Sequence, residues 1–183
     1  MHLWLSHEQV KTIVTQAREG APHEVCGLIG GRDGKALEIV PVDNISAQPN
    51  VHYEMDPQQQ INTMLRWQRE ALDLIGIYHS HPQTPPIPSQ TDIRDAAYPD
   101  SAYLIVSLKN PKANLAAWQI KHGDANRVHL HVGDSPPAPE DITPMTRPQH
   151  YAILIAMVLA ALALIGLSIQ LLPPAPPIPT PGG

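Results

Sequence analysis

The sequence predicts an α/β-class (α+β) fold, a mixed β-sheet flanked by helices, followed by one C-terminal transmembrane helix. Three observations carry this. Short runs rich in Val, Ile and Leu, closed by Gly, Pro, Asn or Asp, read as strands. Two longer stretches show helical periodicity, and strands and helices mix without strict βαβ alternation, which points to a mixed sheet. Finally, residues 151–172, YAILIAMVLAALALIGLSIQLL, carry no charge for 22 residues.

The first helix is expected from Ser6, as N-cap, through about Glu19, with Gln9 closing a capping box and Val10, Ile13, Val14 and Ala17 at helical spacing. EVCGLIGG (24–31) reads as a strand, and ALEIVPV (36–42) as its antiparallel neighbour across RDGK. A second helix is expected from Pro57 to Leu72, with Ile61, Met64, Leu65 and Leu72 facing inward. LIGIYHSH (74–81) reads as a buried strand and 90–97 as a short helix. AYLIVSL (102–108) and NLAAWQI (114–120) form a hairpin, and RVHLHV (127–132) is a last alternating strand.

These elements define a domain over residues 1–132. A Pro-rich linker is expected over 133–150, a membrane span over 151–172 and a Pro-rich tail, PPAPPIPTPGG, over 173–183. As a helix the span rises roughly 33 Å, enough for a bilayer core of ~30 Å. Arg147 and His150 flank its N-terminal side and nothing basic follows, so the positive-inside rule puts the domain in the cytoplasm. The start, MHLWLSHEQVK, has no secretory pattern. The expected localisation is therefore a single-pass membrane protein, C-terminally anchored, with the membrane as a partner. Within the span, Ala156 and Ala160 form a weak small-residue pair.

Net charge is −5 and no Lys/Arg run occurs, which argues against a nucleic-acid partner. The single cysteine, Cys26, excludes an intrachain disulfide.

The chemistry concentrates in YHSHPQTPPIPSQTD (78–92). His79 and His81, at i and i+2 on a strand, share a face about 6.6 Å apart along the chain. A loop stiffened by Pro82, Pro85, Pro86 and Pro88 brings Asp92 back towards them. Two imidazoles and a carboxylate are a catalytic zinc set, three protein ligands with the fourth position left for water or substrate. Such a site needs a base and an oxyanion donor. Glu24, beside the apolar VCGLIG run, is the candidate base, and Ser89, three residues before Asp92, the candidate donor.

These residues resemble the JAMM (MPN+, Mov34/MPN/PAD-1-like) metalloprotease family: an upstream Glu, His-Ser-His, seven residues, Ser, two residues, Asp. EVCGLIGG, VHYEMDP (51–57), GIYHSHP (76–82) and YLIVSL (103–108) resemble the family's neighbouring segments, so the likeness covers residues 1–120. The resemblance implies a curved, cytidine-deaminase-like sheet. It implies one Zn²⁺ on His79, His81 and Asp92, with Glu24 as general acid/base and Ser89 stabilising the tetrahedral intermediate. It further implies hydrolysis of a peptide or isopeptide bond, at the C-terminus of a ubiquitin-like or sulfur-carrier protein. A non-catalytic MPN-type scaffold or binding module at the membrane is the alternative function.

Plainer readings accompany these residues. Ser89 also suits the N-cap of the short helix. Ser80 should point away from the ligands, towards packing or supporting hydrogen bonds. His129-x-His131, with Asp134 nearby, repeats the spacing, but its alternation with Val128, Leu130 and Val132 fits the polar face of an ordinary strand. The apolar neighbours of Cys26 favour packing over nucleophilic chemistry. Trp67 and Trp118 read as core or interface residues.

Overall fold

The computed structural model describes residues 1–135. The elements are β1 (His2–Leu5), α1 (His7–Gly20), β2 (Cys26–Arg32), β3 (Lys35–Val42), α2 (Pro57–Arg69), β4 (Asp73–His81), α3 (Gln90–Asp95), β5 (Ala102–Ser107), β6 (Asn114–Lys121) and β7 (Asp124–Val132).

The strands close into a barrel in the order β1-β3-β2-β4-β5-β6-β7. Both parallel and antiparallel pairs occur: β4 runs antiparallel to β2 and parallel to β5. The sheet is thus mixed, as the sequence predicts, but it closes. Closure is the work of β1, whose four residues pair parallel with β7 from His2↔His129 to Leu5↔Val132 and touch β3 at Trp4↔Lys35. A strand this short, paired to the far end of the described residues, leaves little periodic signal.

Local chemistry explains the helix starts and the first hairpin. At α1, the Ser6 hydroxyl accepts from the Gln9 N–H (3.1 Å) and the Gln9 side chain accepts from the Ser6 N–H (2.8 Å). This capping box satisfies donors that the first turn leaves free. At α2, Pro57 occupies the first turn and the Asp56 carboxylate caps Gln59 at 2.8 Å. The β2–β3 turn places Asp33 (φ 49°) and Gly34 (φ 75°) in the left-handed region, as a two-residue hairpin loop requires.

The core splits according to the period-two alternation of the central strands. Ile29, Tyr78 and Leu104 point towards the α1 side, where Ile13 and Ala17 are fully buried. Leu28, Ile77 and Tyr103 point towards the α2 side, where Trp67 is buried. The inward face of α1 matches the sequence reading. That of α2 matches in part: Leu72, just past the helix, packs on the core, but Ile61 and Leu65 are half exposed, while Thr63 and Trp67 are buried. Trp67 sets the phase. Its ring lies over Gly30, where an added Cβ would meet it at 2.6 Å, and its Nε1–H donates to the Glu38 carboxylate at 2.5 Å. At 100° per residue, positions two and six before Trp67 turn to the opposite side, so Ile61 and Leu65 face out.

The membrane reading requires correction. Among the described residues no helix is long and apolar enough to cross a membrane. The longest, α1, has 14 residues and rises only ~21 Å against the ~30 Å a span needs. Residues 151–172, on which the single-pass localisation and the membrane partner rested, lie outside the described residues, as does most of the expected linker and the tail. None of the described helices can serve as the expected anchor. Just past β7, the Trp4 Nε1–H donates to the Gly133 carbonyl (2.6 Å) and the Gly133 N–H to the Leu5 carbonyl (2.9 Å).

Two substitutions on α2 separate the phases. Trp67→Ala is expected to cost about 3–5 kcal/mol in denaturant unfolding, as for other buried aromatic truncations. Ile61→Ala is expected to stay within about 1 kcal/mol, because it already faces solvent.

Candidate metal centre

The alternation that sends Ile77 towards α2 sends His79 and His81 the same way, two and four residues further along β4. Both are buried, at 0% and 4% exposure, and so is Asp92, at 6%. Asp92 arrives from α3. The intervening loop is tied at several carbonyls: Thr84 accepts from the Ser107 hydroxyl (2.6 Å), Pro85 pairs with His81 Nδ1 (2.9 Å), and Pro86 accepts from Trp118 Nε1–H (2.9 Å). Prolines limit the freedom lost in holding this path.

A second capping box aims the carboxylate. The Ser89 hydroxyl accepts from the Asp92 N–H at 3.1 Å, and Asp92 Oδ2 accepts from the Ser89 N–H at 2.6 Å. Asp92 Oδ1 then lies 3.5 Å from His79 Nε2 and Oδ2 lies 3.4 Å from His81 Nε2, while the two Nε2 atoms are 3.1 Å apart.

This triangle can be tested against a zinc ion. Ligand bonds of 2.0–2.1 Å in a tetrahedron require ligand–ligand edges of about 3.3–3.4 Å. The imidazole–imidazole separation and the shortest approach of each imidazole to the carboxylate bracket that value, and one donor atom from each residue meets the others within 4.8 Å. The electrostatics of the three donors differ: at His81 burial lowers the pKa, but the hydrogen bonds to Asp92 and Pro85 outweigh it and raise it. His81 donates Nδ1–H to the Pro85 carbonyl, so in the neutral ring it is the Nε2 lone pair that faces the cluster. Burial disfavours the imidazolium of His79 and lowers its pKa despite the adjacent Asp92. At Asp92 burial pushes the pKa up, but the two imidazoles and the Ser89 N–H outweigh it and hold the carboxyl well below its ordinary value. Among the described residues, His79, His81 and Asp92 are the group of three whose donor atoms meet within 4.8 Å. The residues fit one zinc ion.

Glu24, just before β2, is 5% exposed. Its backbone is fixed from both sides: its N–H donates to Pro49 O (2.6 Å) and its carbonyl accepts from Asn44 Nδ2 (2.8 Å). Burial pushes its carboxyl up to about 7; His81 partly opposes this and Asp92 adds to it. Ser80 points to the other face of β4, as expected, fully buried, and its hydroxyl accepts from the Val25 N–H at 3.0 Å. It thereby braces the residue next to Glu24. The Ser89 hydroxyl spends a lone pair on the cap, and that bond leaves its own proton available.

A cleft of about 410 Å³ opens beside Asp92, with Tyr53, Met55, Ile77, Tyr98 and Tyr103 among its walls. Tyr53 was not legible as a site residue in the sequence. Its ring stacks on His79, centroids 4.4 Å apart and planes 21° from parallel. The only available sign was its place in VHYEMDP. His129 and His131 stay apart from the centre: His129 is exposed, and His131 packs edge-on to Trp4 and pairs with Ser135 O at 3.1 Å. Cys26 is buried with its thiol towards Val42 O, and burial pushes it up to about 12, so it is held as the neutral thiol.

Comparison with known proteins shows the family. The model of prokaryotic homologs of the JAB domain (Prok-JAB) matches residues 6–121, and the chain belongs to that family. It is 39% identical over 112 residues to a desampylase of Haloferax volcanii, a match covering 57% of this chain and 80% of that protein. It is 31% identical over 126 residues to the CysO-cysteine peptidase of Mycobacterium tuberculosis, covering 67% of this chain and 86% of that one. The solution structure of a protein from Desulfitobacterium hafniense aligns with a TM-score of 0.66 at 30% identity, covering 73% of this chain and 94% of that one. The family expected from the Glu, His-Ser-His, Ser and Asp pattern is thereby shown, and the relatives bear names of peptidases.

Removal of the cap should be measurable apart from any chemistry. Ser89→Ala deletes the acceptor for the Asp92 N–H and is expected to lower unfolding stability by about 1 kcal/mol, the usual cost of an N-cap.

Proposed function

We propose that the chain is a zinc-dependent isopeptidase or peptidase acting at the C-terminus of a ubiquitin-like or sulfur-carrier protein. The observation that carries this is the buried cluster of His79 Nε2, His81 Nε2 and the Asp92 carboxylate, the imidazoles 3.1 Å apart and 3.5 and 3.4 Å from its Oδ1 and Oδ2, with a buried glutamate beside it. The names of the relatives, a desampylase and a CysO-cysteine peptidase, support the substrate class.

His79, His81 and Asp92 would hold the zinc. Bound there, zinc brings a water's pKa to near 7 and polarises a carbonyl oxygen. Glu24, whose buried carboxyl titrates near neutrality, takes the proton of the attacking water and returns it to the leaving amine. The water oxygen bonds to the carbonyl carbon and the C–N bond breaks, giving one carboxylate and one amine. The Ser89 O–H donates to the carbonyl oxygen as charge builds on it. The cleft walled by Tyr53, Tyr98 and Tyr103 receives the substrate segment beside Asp92.

The test uses the full chain and a carrier protein joined through its C-terminus to a lysine or cysteine amine, read by mass spectrometry. Glu24→Gln should keep one zinc and lose about 10²–10⁴-fold in turnover. His81→Ala should lose the zinc as well as turnover. Near-normal cleavage by either variant would overturn the assignment.

A further inference from the structure

The triad is held unevenly. His81 has its second ring nitrogen fixed by the Pro85 carbonyl, but the buried His79 Nδ1 has no hydrogen-bond partner among the described residues. A ligating histidine is ordinarily oriented through that second nitrogen. His79 is oriented instead by packing, with the face of Tyr53 against it at 4.4 Å. Whatever fixes Tyr53 therefore fixes a ligand.

The residue before Tyr53 is His52, and its ring is engaged at both ends. Nδ1 lies 2.9 Å from the Ser46 hydroxyl and Nε2 lies 3.4 Å from Asp95 Oδ2. The Ser46 oxygen already accepts from the Gln48 N–H at 3.2 Å. In the neutral ring the tautomer that suits both neighbours accepts the Ser46 proton at Nδ1 and presents Nε2–H to the carboxylate. Asp95 is itself held by the Arg94 guanidinium through two bonds of 2.7 and 2.9 Å. The result is an ordered chain, Ser46–His52–Asp95–Arg94, across the gap between the 44–56 segment and α3.

Three parts of the centre meet at this chain. Asp95 follows Asp92 by one turn of α3, so a grip on Asp95 is a grip on the helix that carries the third ligand. Tyr53 joins it to His79. The His52 carbonyl accepts from Asn44 Nδ2 at 3.2 Å, and the same amide donates to the Glu24 carbonyl at 2.8 Å. We propose that His52 is a positioning residue for the metal centre, latching the segment that packs Tyr53 on His79 to the helix that carries Asp92. The proposal rests on the metal reading above and assigns His52 no contact with substrate.

A merely structural role predicts something different. The His52 and Asp95 side chains are 29% and 45% exposed, and such pairs contribute little to stability. The latch should therefore show in metal affinity while the fold stays put. Metal-free full chain is titrated with zinc against a chromophoric chelator, and cobalt(II)-substituted protein is examined by visible absorption. Wild type should bind one equivalent. His52→Ala and Asp95→Ala should bind zinc about 10–100-fold more weakly, the usual effect of losing a group that orients a ligand, and should alter the cobalt bands. Asp95→Asn keeps an acceptor for Nε2–H and should stay close to wild type. The double variant His52→Ala/Asp95→Ala should be no weaker than either single one.

Wild-type affinity and unchanged bands in both alanine variants would overturn the latch and leave the metallopeptidase reading intact. Loss of the fold in Asp95→Ala would mark the contact as structural and overturn it equally. A wild-type chain that binds neither metal would remove the metal reading and the latch together.

Discussion

Side chains on β4 alternate between two helices, and this alternation decides where chemistry can occur. Tyr78 and Ser80 belong to the α1 side, Ile77, His79 and His81 to the α2 side. β4 sits between β2 and β5 and is buried along its last six residues. A register slip of one residue would drive the imidazoles into the α1 core and leave Tyr78 in the cleft. The strand pairs therefore fix the candidate metal centre as firmly as the hydrogen bonds of its own side chains do.

Burial then sets the electrostatics. A carboxylate taken out of water is costly unless it is paired and hydrogen-bonded. Asp92 has both imidazoles and the Ser89 N–H, so it stays ionised, whereas Glu24 is pushed towards neutrality by burial. Two carboxyl groups in one centre are separated in pKa by their surroundings, which suits the proposed division between holding a cation and moving a proton. In the proposed reaction Ser89 serves both sides of this arrangement, since its cap aims Asp92 and leaves its hydroxyl proton to donate.

What the sequence revealed follows from how local each signal is. The capping box of α1, the Asp-Gly turn and the strand runs depend on neighbouring residues, and they were legible. His79, His81, Ser89 and Asp92 lie within one short stretch, so their convergence was legible too. The four residues of β1 were not, because their pairing with β7 spans the length of the domain. The phase of α2 was hidden because Ile61 and Leu65 satisfy helical spacing as well as the true face does. Only the bulk of Trp67, the missing Cβ of Gly30 and the Glu38 acceptor decide between them. Tyr53 and His52 lie on an irregular segment with no periodicity, where position in space is set by distant partners. The long apolar run at 151–172 gave the opposite lesson: composition alone produced an expectation that the described part of the chain does not carry.

The central claim is a centre of two imidazoles and one carboxylate oxygen with one position left free. Zinc K-edge absorption on the zinc-loaded full chain tests it most directly. The account predicts four light-atom neighbours at about 2.0–2.1 Å, two of them with the multiple-scattering signature of imidazole. A sulfur neighbour near 2.3 Å, or a third imidazole, would contradict it.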